Sequence, residues 1–148
     1  MQILCIEYEK ILYYCPPVPP EVGGLLGMVG KVIVAHTMDY GEMDNERAIY
    51  KPSINLLNDQ IKQWQMQKIK FAGIFHSHPQ GQYKLSLDDE QYINRIMNVM
   101  PLELSTLYFP VVLPQFGIFP YVARRTDFGI TISSDSIQLI DERRFQNE

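Results

Sequence analysis

The apolar positions of this chain fall into short runs and helical stripes separated by clear breaks. Apolar runs at Val22–Met28 and Lys31–His36 flank Val29-Gly30 and predict a β-hairpin. A further short strand is expected at Ala48–Lys51. From Ser53 onward, Ile54, Leu57, Ile61 and Trp64 recur at spacings of three, four and three. That is one face of a helix, expected to end near Lys68. Phe71-Ala72-Gly73-Ile74-Phe75 reads as a buried strand running straight into His76-Ser77-His78-Pro79. A second helix is predicted from Ser86, with Ile93, Ile96, Met97 and Met100 on its buried side and Pro101 closing it. Leu107–Leu113, Ile118–Arg124 and Gly129–Ser133 predict three more strands. The breaks are the proline cluster Pro16–Pro20, the acidic segment Asp39–Glu46 and the loop Pro79–Lys84. Strands and helices mix without strict βαβ alternation. The expected class is therefore α+β, close to α/β: one domain over residues 1–148, with a mixed central sheet flanked by two or more helices.

Composition narrows the function classes. The 148 residues are 46% hydrophobic and 20% charged, ordinary globular values that exclude a disordered or fibrous chain. A net charge of −4 argues against a nucleic-acid binder that relies on phosphate neutralisation. No apolar stretch approaches the roughly 20 residues needed to span a bilayer. The segment Met1–Glu7 has no basic region before its apolar residues, so no signal peptide is expected. Cys5 and Cys15 form neither a CxxC pair nor a disulfide framework. Neither nucleic acid nor membrane is an expected partner, and the expected location is the cytoplasm.

Candidate chemistry begins with the histidines. There are three, and two stand as His76-x-His78 at a predicted strand end. Side chains at i and i+2 of a strand share a face, so both imidazoles can reach one metal. Taken alone, the pair is explained more simply by two polar residues on a solvent-facing strand end, or by a hydrogen-bonding turn before proline. His36 has no such partner and is read as structural. Asp89 follows His78 by eleven residues, with Ser86 three before it. Ser86 as N-cap and Asp89 in the first turn need only a helix start to explain them. The intervening loop can also fold that helix start back onto the strand end. Asp89 could then supply an oxygen ligand beside His76 and His78, leaving a fourth position for water, the pattern of a catalytic zinc.

Taken together, His76-Ser77-His78, seven residues, Ser86, two residues and Asp89 form H-S-H-x7-S-x-x-D. This motif resembles the signature of the JAMM, or JAB/MPN-type, zinc metalloprotease family. The two histidines, Ser86 and Asp89, four positions in fourteen residues, make the match specific. The family signature also has a glutamate upstream, near the start of an apolar, glycine-containing strand. Pro20-Glu21-Val22-Gly23-Gly24-Leu25-Leu26-Gly27 is similar to that element, with Glu21 in the glutamate's place. Glu7, Glu9, Glu42, Glu46 and Glu90 are weaker candidates for it. The resemblance covers roughly Glu21 to Arg125. The chain departs from the family in offering only Ile6–Cys15 where members carry a longer N-terminal helix, and in having Leu85 where many have proline.

The resemblance implies a cytidine-deaminase-like JAB/MPN fold and one Zn²⁺ per chain held by His76, His78 and Asp89. It implies Glu21 as general acid and base and Ser86 as a donor to the oxyanion, in hydrolysis of an amide or isopeptide bond. The implied partner is a protein or peptide substrate, with ubiquitin-like and sulfur-carrier proteins as the family's examples. No His or Cys follows His78, so the second zinc that some members carry on an insertion is not expected. The short, insertion-poor chain is similar to prokaryotic members. Two readings compete with the enzyme. One is a non-catalytic MPN-type scaffold that binds protein partners. The other is a DNA-associated protein, since the bacterial RadC family resembles the same motif.

Overall fold

The computed structural model describes residues 1–41, 50, 52–79 and 81–146. Among these the order is β1 (Gln2–Leu4), α1 (Cys5–Tyr14), β2 (Gly23–Val29), β3 (Val32–Asp39), α2 (Ile54–Met66), β4 (Lys70–Ser77) and α3 (Leu87–Val99). Then follow β5 (Thr106–Tyr108), β6 (Val111–Leu113), β7 (Gly117–Phe119), β8 (Tyr121–Thr126), β9 (Gly129–Ser134), β10 (Gln138–Ile140) and α4 (Glu142–Gln146). The strands form one sheet in the order β10-β1-β3-β2-β4-β5-β8-β9, with β6 on β4 and β7 on β6. Parallel pairs (β1 with β10 and β3, β4 with β5 and β6) sit among antiparallel ones, so the sheet is mixed as expected. Glu42 and Glu46 lie outside the described residues. So does most of the strand expected at Ala48–Lys51, and its one described residue, Tyr50, is in no strand.

Helices cover both faces. One core gathers Ile3, Ile11, Leu26, Ile33, Phe75 and Val112 on the α1 side. The other gathers Leu25, Leu57, Trp64, Ile74, Ile93 and Met97 under α2 and α3. Coverage on both sides is why Phe71–Phe75 reads as an unbroken apolar run instead of an alternating one. The predicted β2–β3 hairpin forms, and Gly30 opens its two-residue loop at φ +61, as a type II′ turn requires.

Three expectations change. Pro110 and Pro120 have no N–H to give to a ladder, so each divides a predicted strand. Leu107–Leu113 becomes β5 and β6, and Ile118–Arg124 becomes β7 and β8. The first break lets β6 slide along the end of β4, pairing Val111 with His76 and Val112 with Ser77. Ile54, predicted on the buried face of α2, is 67% exposed at a groove between α2 and α3. Asp39, read as part of an acidic break, is the buried last residue of β3.

Gly73 matters most for what β4 carries. It sits at φ +153, and a Cβ there would come within 1.8 Å of the Tyr108 carbonyl oxygen on β5. It also resets the alternation: Phe71 and Ile74, three apart, both enter the α2/α3 core. Counting on from Ile74, His76 and His78 face α3. Gly73→Ala should destabilise by about 3 kcal/mol, combining a strained backbone with overpacking. Thermal unfolding should show a Tm lower by roughly 6–12 °C. An unchanged Tm would mean that β4 and β5 are not in this contact.

Candidate metal centre

The end of β4 is held by main-chain bonds on both sides. The N–H groups of His76, Ser77 and His78 donate to the carbonyls of Pro110, Val22 and Val112 at 3.2, 2.7 and 2.9 Å. His76 and His78 therefore present their rings on one face, with Nε2 atoms 2.9 Å apart. Both residues are buried. The Nδ1 of His78 donates to the Gln82 carbonyl at 2.5 Å. That bond keeps a proton on Nδ1, so Nε2 is the nitrogen left to release its proton and offer a lone pair inward, as a metal ligand must.

Asp89 meets these rings from α3. The helix starts with a full capping box: the Asp89 N–H donates to Ser86 Oγ at 3.1 Å, and the Ser86 N–H donates to Asp89 Oδ2 at 2.8 Å. Helix capping and ligand geometry, open alternatives in the sequence, occur together. The box fixes the Asp89 rotamer, and Oδ1 then lies 3.3 Å from His76 Nε2 and Oδ2 lies 3.2 Å from His78 Nε2. One ligand atom from each of the three residues falls within 4.8 Å of the others. Tetrahedral bonds of about 2.0–2.1 Å to one zinc would separate ligand atoms by about 3.3 Å. The donor set and spacing fit that ion.

Glu21 comes alongside from the segment leading into β2. Its register pairs Gly23 with His76, so two residues further back Glu21 falls opposite His78. Its Oε1 lies 3.9 Å from His78 Nε2, and Oε2 accepts the Tyr50 N–H at 3.2 Å. Glu21, His76, Ser86 and Asp89 line one cleft of about 420 Å³, which Tyr92 and Arg95 also line. The structure thus brings all five predicted site residues together.

The electrostatics separate the two carboxylates. Burial pushes both up. For Asp89, hydrogen bonds from His76 and His78 outweigh burial and hold it well below the usual carboxylate range. For Glu21, burial wins over the nearby histidines and the Tyr50 N–H, so its pKa is raised. Burial would lower His78, but its bonds to Asp89 and the Gln82 carbonyl raise it.

Two supporting residues escaped the sequence reading. Ser77, fully buried between the histidines, accepts the Val22 N–H on Oγ at 2.9 Å and ties Glu21's neighbour to the strand end. Only its place inside the H-x-H motif signalled it. Tyr50 donates its hydroxyl to Asp39 at 2.8 Å, and Asp39 also accepts from the Ser53 and Gly41 N–H groups. No local pattern marks that clamp. His36 does pair structurally, through Nδ1 to buried Glu7, which removes Glu7 from the candidate acids. Cys15 is buried, which pushes its thiol up to about 12 and leaves it unreactive.

No protein-family model matches this chain, and no curated protein matches its sequence significantly. Solved structures do. A protein from Desulfitobacterium hafniense, known from a solution structure, is similar over 96% of this chain and 95% of its own, with TM-score 0.62 and 15% identity. A solution structure from Salinibacter ruber covers 95% of this chain and 92% of its own, with TM-score 0.56 and 16% identity. At these identities the likeness is one of fold. The chain is a mixed α/β protein with a curled sheet, and no helix among its described residues is long and apolar enough to cross a membrane.

Proposed function

We propose that this protein is a zinc-dependent metallopeptidase or isopeptidase of the JAMM type, cleaving an amide bond in a protein or peptide substrate. One observation carries the reading: two imidazole Nε2 atoms and the Asp89 carboxylate converge within 4.8 Å, with a separate half-buried glutamate beside them. A zinc ion bound by His76, His78 and Asp89 would supply Lewis acidity, lowering the pKa of water towards about 7 and polarising a carbonyl. Glu21, whose pKa burial raises, suits a base that must take a proton near neutral pH and return it to the leaving amine. The Ser86 hydroxyl accepts the Asp89 N–H on its oxygen and so keeps its own hydrogen for an oxyanion in the cleft. The absence of a disulfide framework supports a cytoplasmic location.

Elemental analysis should find about one zinc per chain. A panel of ubiquitin-like and sulfur-carrier fusions should contain at least one substrate whose cleavage a chelator stops and zinc restores. Zinc without turnover on any fusion would favour the MPN-type scaffold, and no zinc even after reconstitution would end the metal reading.

Ser86→Ala tests the two roles of that residue. Loss of the cap should cost about 1 kcal/mol in denaturant unfolding. Loss of the oxyanion donor should lower kcat by roughly 10²–10³ at full zinc occupancy. A stability loss with kcat unchanged would leave Ser86 as a cap alone.

A further inference from the structure

A second cleft, of about 300 Å³, opens beside His78 and, among the described residues, shares no lining residue with the cleft of Glu21 and His76. The ligand set thus stands between two clefts of opposite character. The first is lined by Glu21, Asp88 and Asp89, whereas among the described residues no carboxylate lines the second. Its walls are rings: Phe116 and Phe119 stack with centroids 6.3 Å apart, and Tyr83 tilts against Phe119 at 5.4 Å. Two of these rings are left open to solvent, Phe116 at 77% and Tyr83 at 48% exposure.

The backbone holds this cleft in shape. Phe116 follows a turn closed by its own N–H donating to Leu113 at 3.0 Å, with Pro114 and then Gln115 at φ +66. A non-glycine residue in left-handed backbone is disfavoured, and here that conformation projects Phe116 over the cleft. On the other wall, the Gln82 carbonyl accepts from the ligand His78, and the next carbonyl, Tyr83, accepts the Tyr121 hydroxyl at 2.8 Å. The aromatic wall and the imidazole are therefore tied through adjacent residues. The Lys84 ammonium, 5.9 Å from the Tyr83 ring centroid, would repel a cationic occupant.

We propose that this cleft is a side-chain pocket of the metal centre, taking a neutral aromatic residue next to the scissile amide. That the occupant is a substrate residue rests on the metallopeptidase reading. Edge-to-face and offset contacts with three rings favour a ring over an aliphatic chain. The volume lies at the lower end of ligand pockets, enough for one side chain and little else.

The test has two arms. In the first, zinc-free full-length protein is titrated by amide-resolved NMR with N-acetyl-phenylalanine amide, N-acetyl-glycine amide and N-acetyl-lysine amide. The phenylalanine probe should shift Gly81, Tyr83 and Phe116 and bind about tenfold tighter than either other probe. Phe116→Ala and Tyr83→Ala, both at exposed positions, should abolish most of that preference. Equal binding of the three probes, shifts elsewhere, or a preference unmoved by both variants would overturn the proposal. In the second arm, zinc-loaded protein is titrated by calorimetry with glycine hydroxamic acid and phenylalanine hydroxamic acid. The glycine compound reads the metal centre alone, and the phenylalanine compound should bind about tenfold tighter. No binding of the glycine compound would defeat the metallopeptidase reading, and the role of substrate pocket with it. Equal affinities would defeat the pocket while leaving the metal centre standing.

Discussion

Glu21→Gln should keep about one zinc per chain and the wild-type fold while turnover falls by roughly 10²–10⁴, the span for losing a general acid–base. Glutamine keeps the size of the side chain and can still accept the Tyr50 N–H that holds Glu21 Oε2 at 3.2 Å. It cannot take a proton from water. The carboxylate stands 3.9 Å from His78 Nε2 and outside the set of converging ligand atoms, so metal affinity should not depend on it. The decisive comparison is zinc content against kcat on one fusion substrate. Turnover within a few-fold of wild type would remove Glu21 from the chemistry, and loss of zinc would make it a ligand.

His78→Ala should lose zinc and with it all measurable turnover, and His76→Ala and Asp89→Ala should follow. Three protein ligands are the fewest that catalytic zinc sites use, so each removal leaves two. His78 should be the most sensitive, because its Nδ1 bond to Gln82 already selects the ligand tautomer. Asp89→Ala has a second cost, since it also removes half of the α3 capping box. Asp89→Asn separates the two effects: its amide oxygen can still accept the Ser86 N–H, but it carries no charge for a metal. Metal titration with a competing chelator reads the affinity, and circular dichroism confirms that the helix persists. Wild-type-like affinity in His78→Ala would place the metal elsewhere.

How much of this was legible in the residues can be seen one element at a time. Ser53–Lys68, Phe71–Phe75 and the stretch from Ser86 were recognisable because each is a run of near neighbours with one period. Leu107–Leu113 and Ile118–Arg124 each read as one strand because apolar composition outweighs a proline inside it, whose missing N–H acts only when a ladder has to form. Ile54 has helical spacing, yet it is exposed, because spacing alone does not tell whether a neighbouring helix closes over a position. The short terminal strands β1 and β10 carry no alternation long enough to read, and they form as each other's partners.

For the site, the sequence by itself determined the ligand types and their spacing, because His76, His78, Ser86 and Asp89 lie within fourteen residues on one strand end and one helix start. Strand pleat and helix capping act over such distances, so local rules sufficed. The resemblance pointed to Glu21 as the acid, but only the tertiary structure decided how it comes to stand beside them. Glu21 is separated from His76 by a hairpin and a helix, and in the sequence only the glycine-containing apolar stretch after it, through the resemblance, sets it apart from other glutamates. Its place follows from the β2–β4 register, the Ser77–Val22 bond and the Tyr50 clamp. The same holds for the aromatic cleft, assembled from a loop after β4 and the β6–β7 turn. Registers and clefts of that kind are set by packing summed over the whole sheet, which no window along the chain contains.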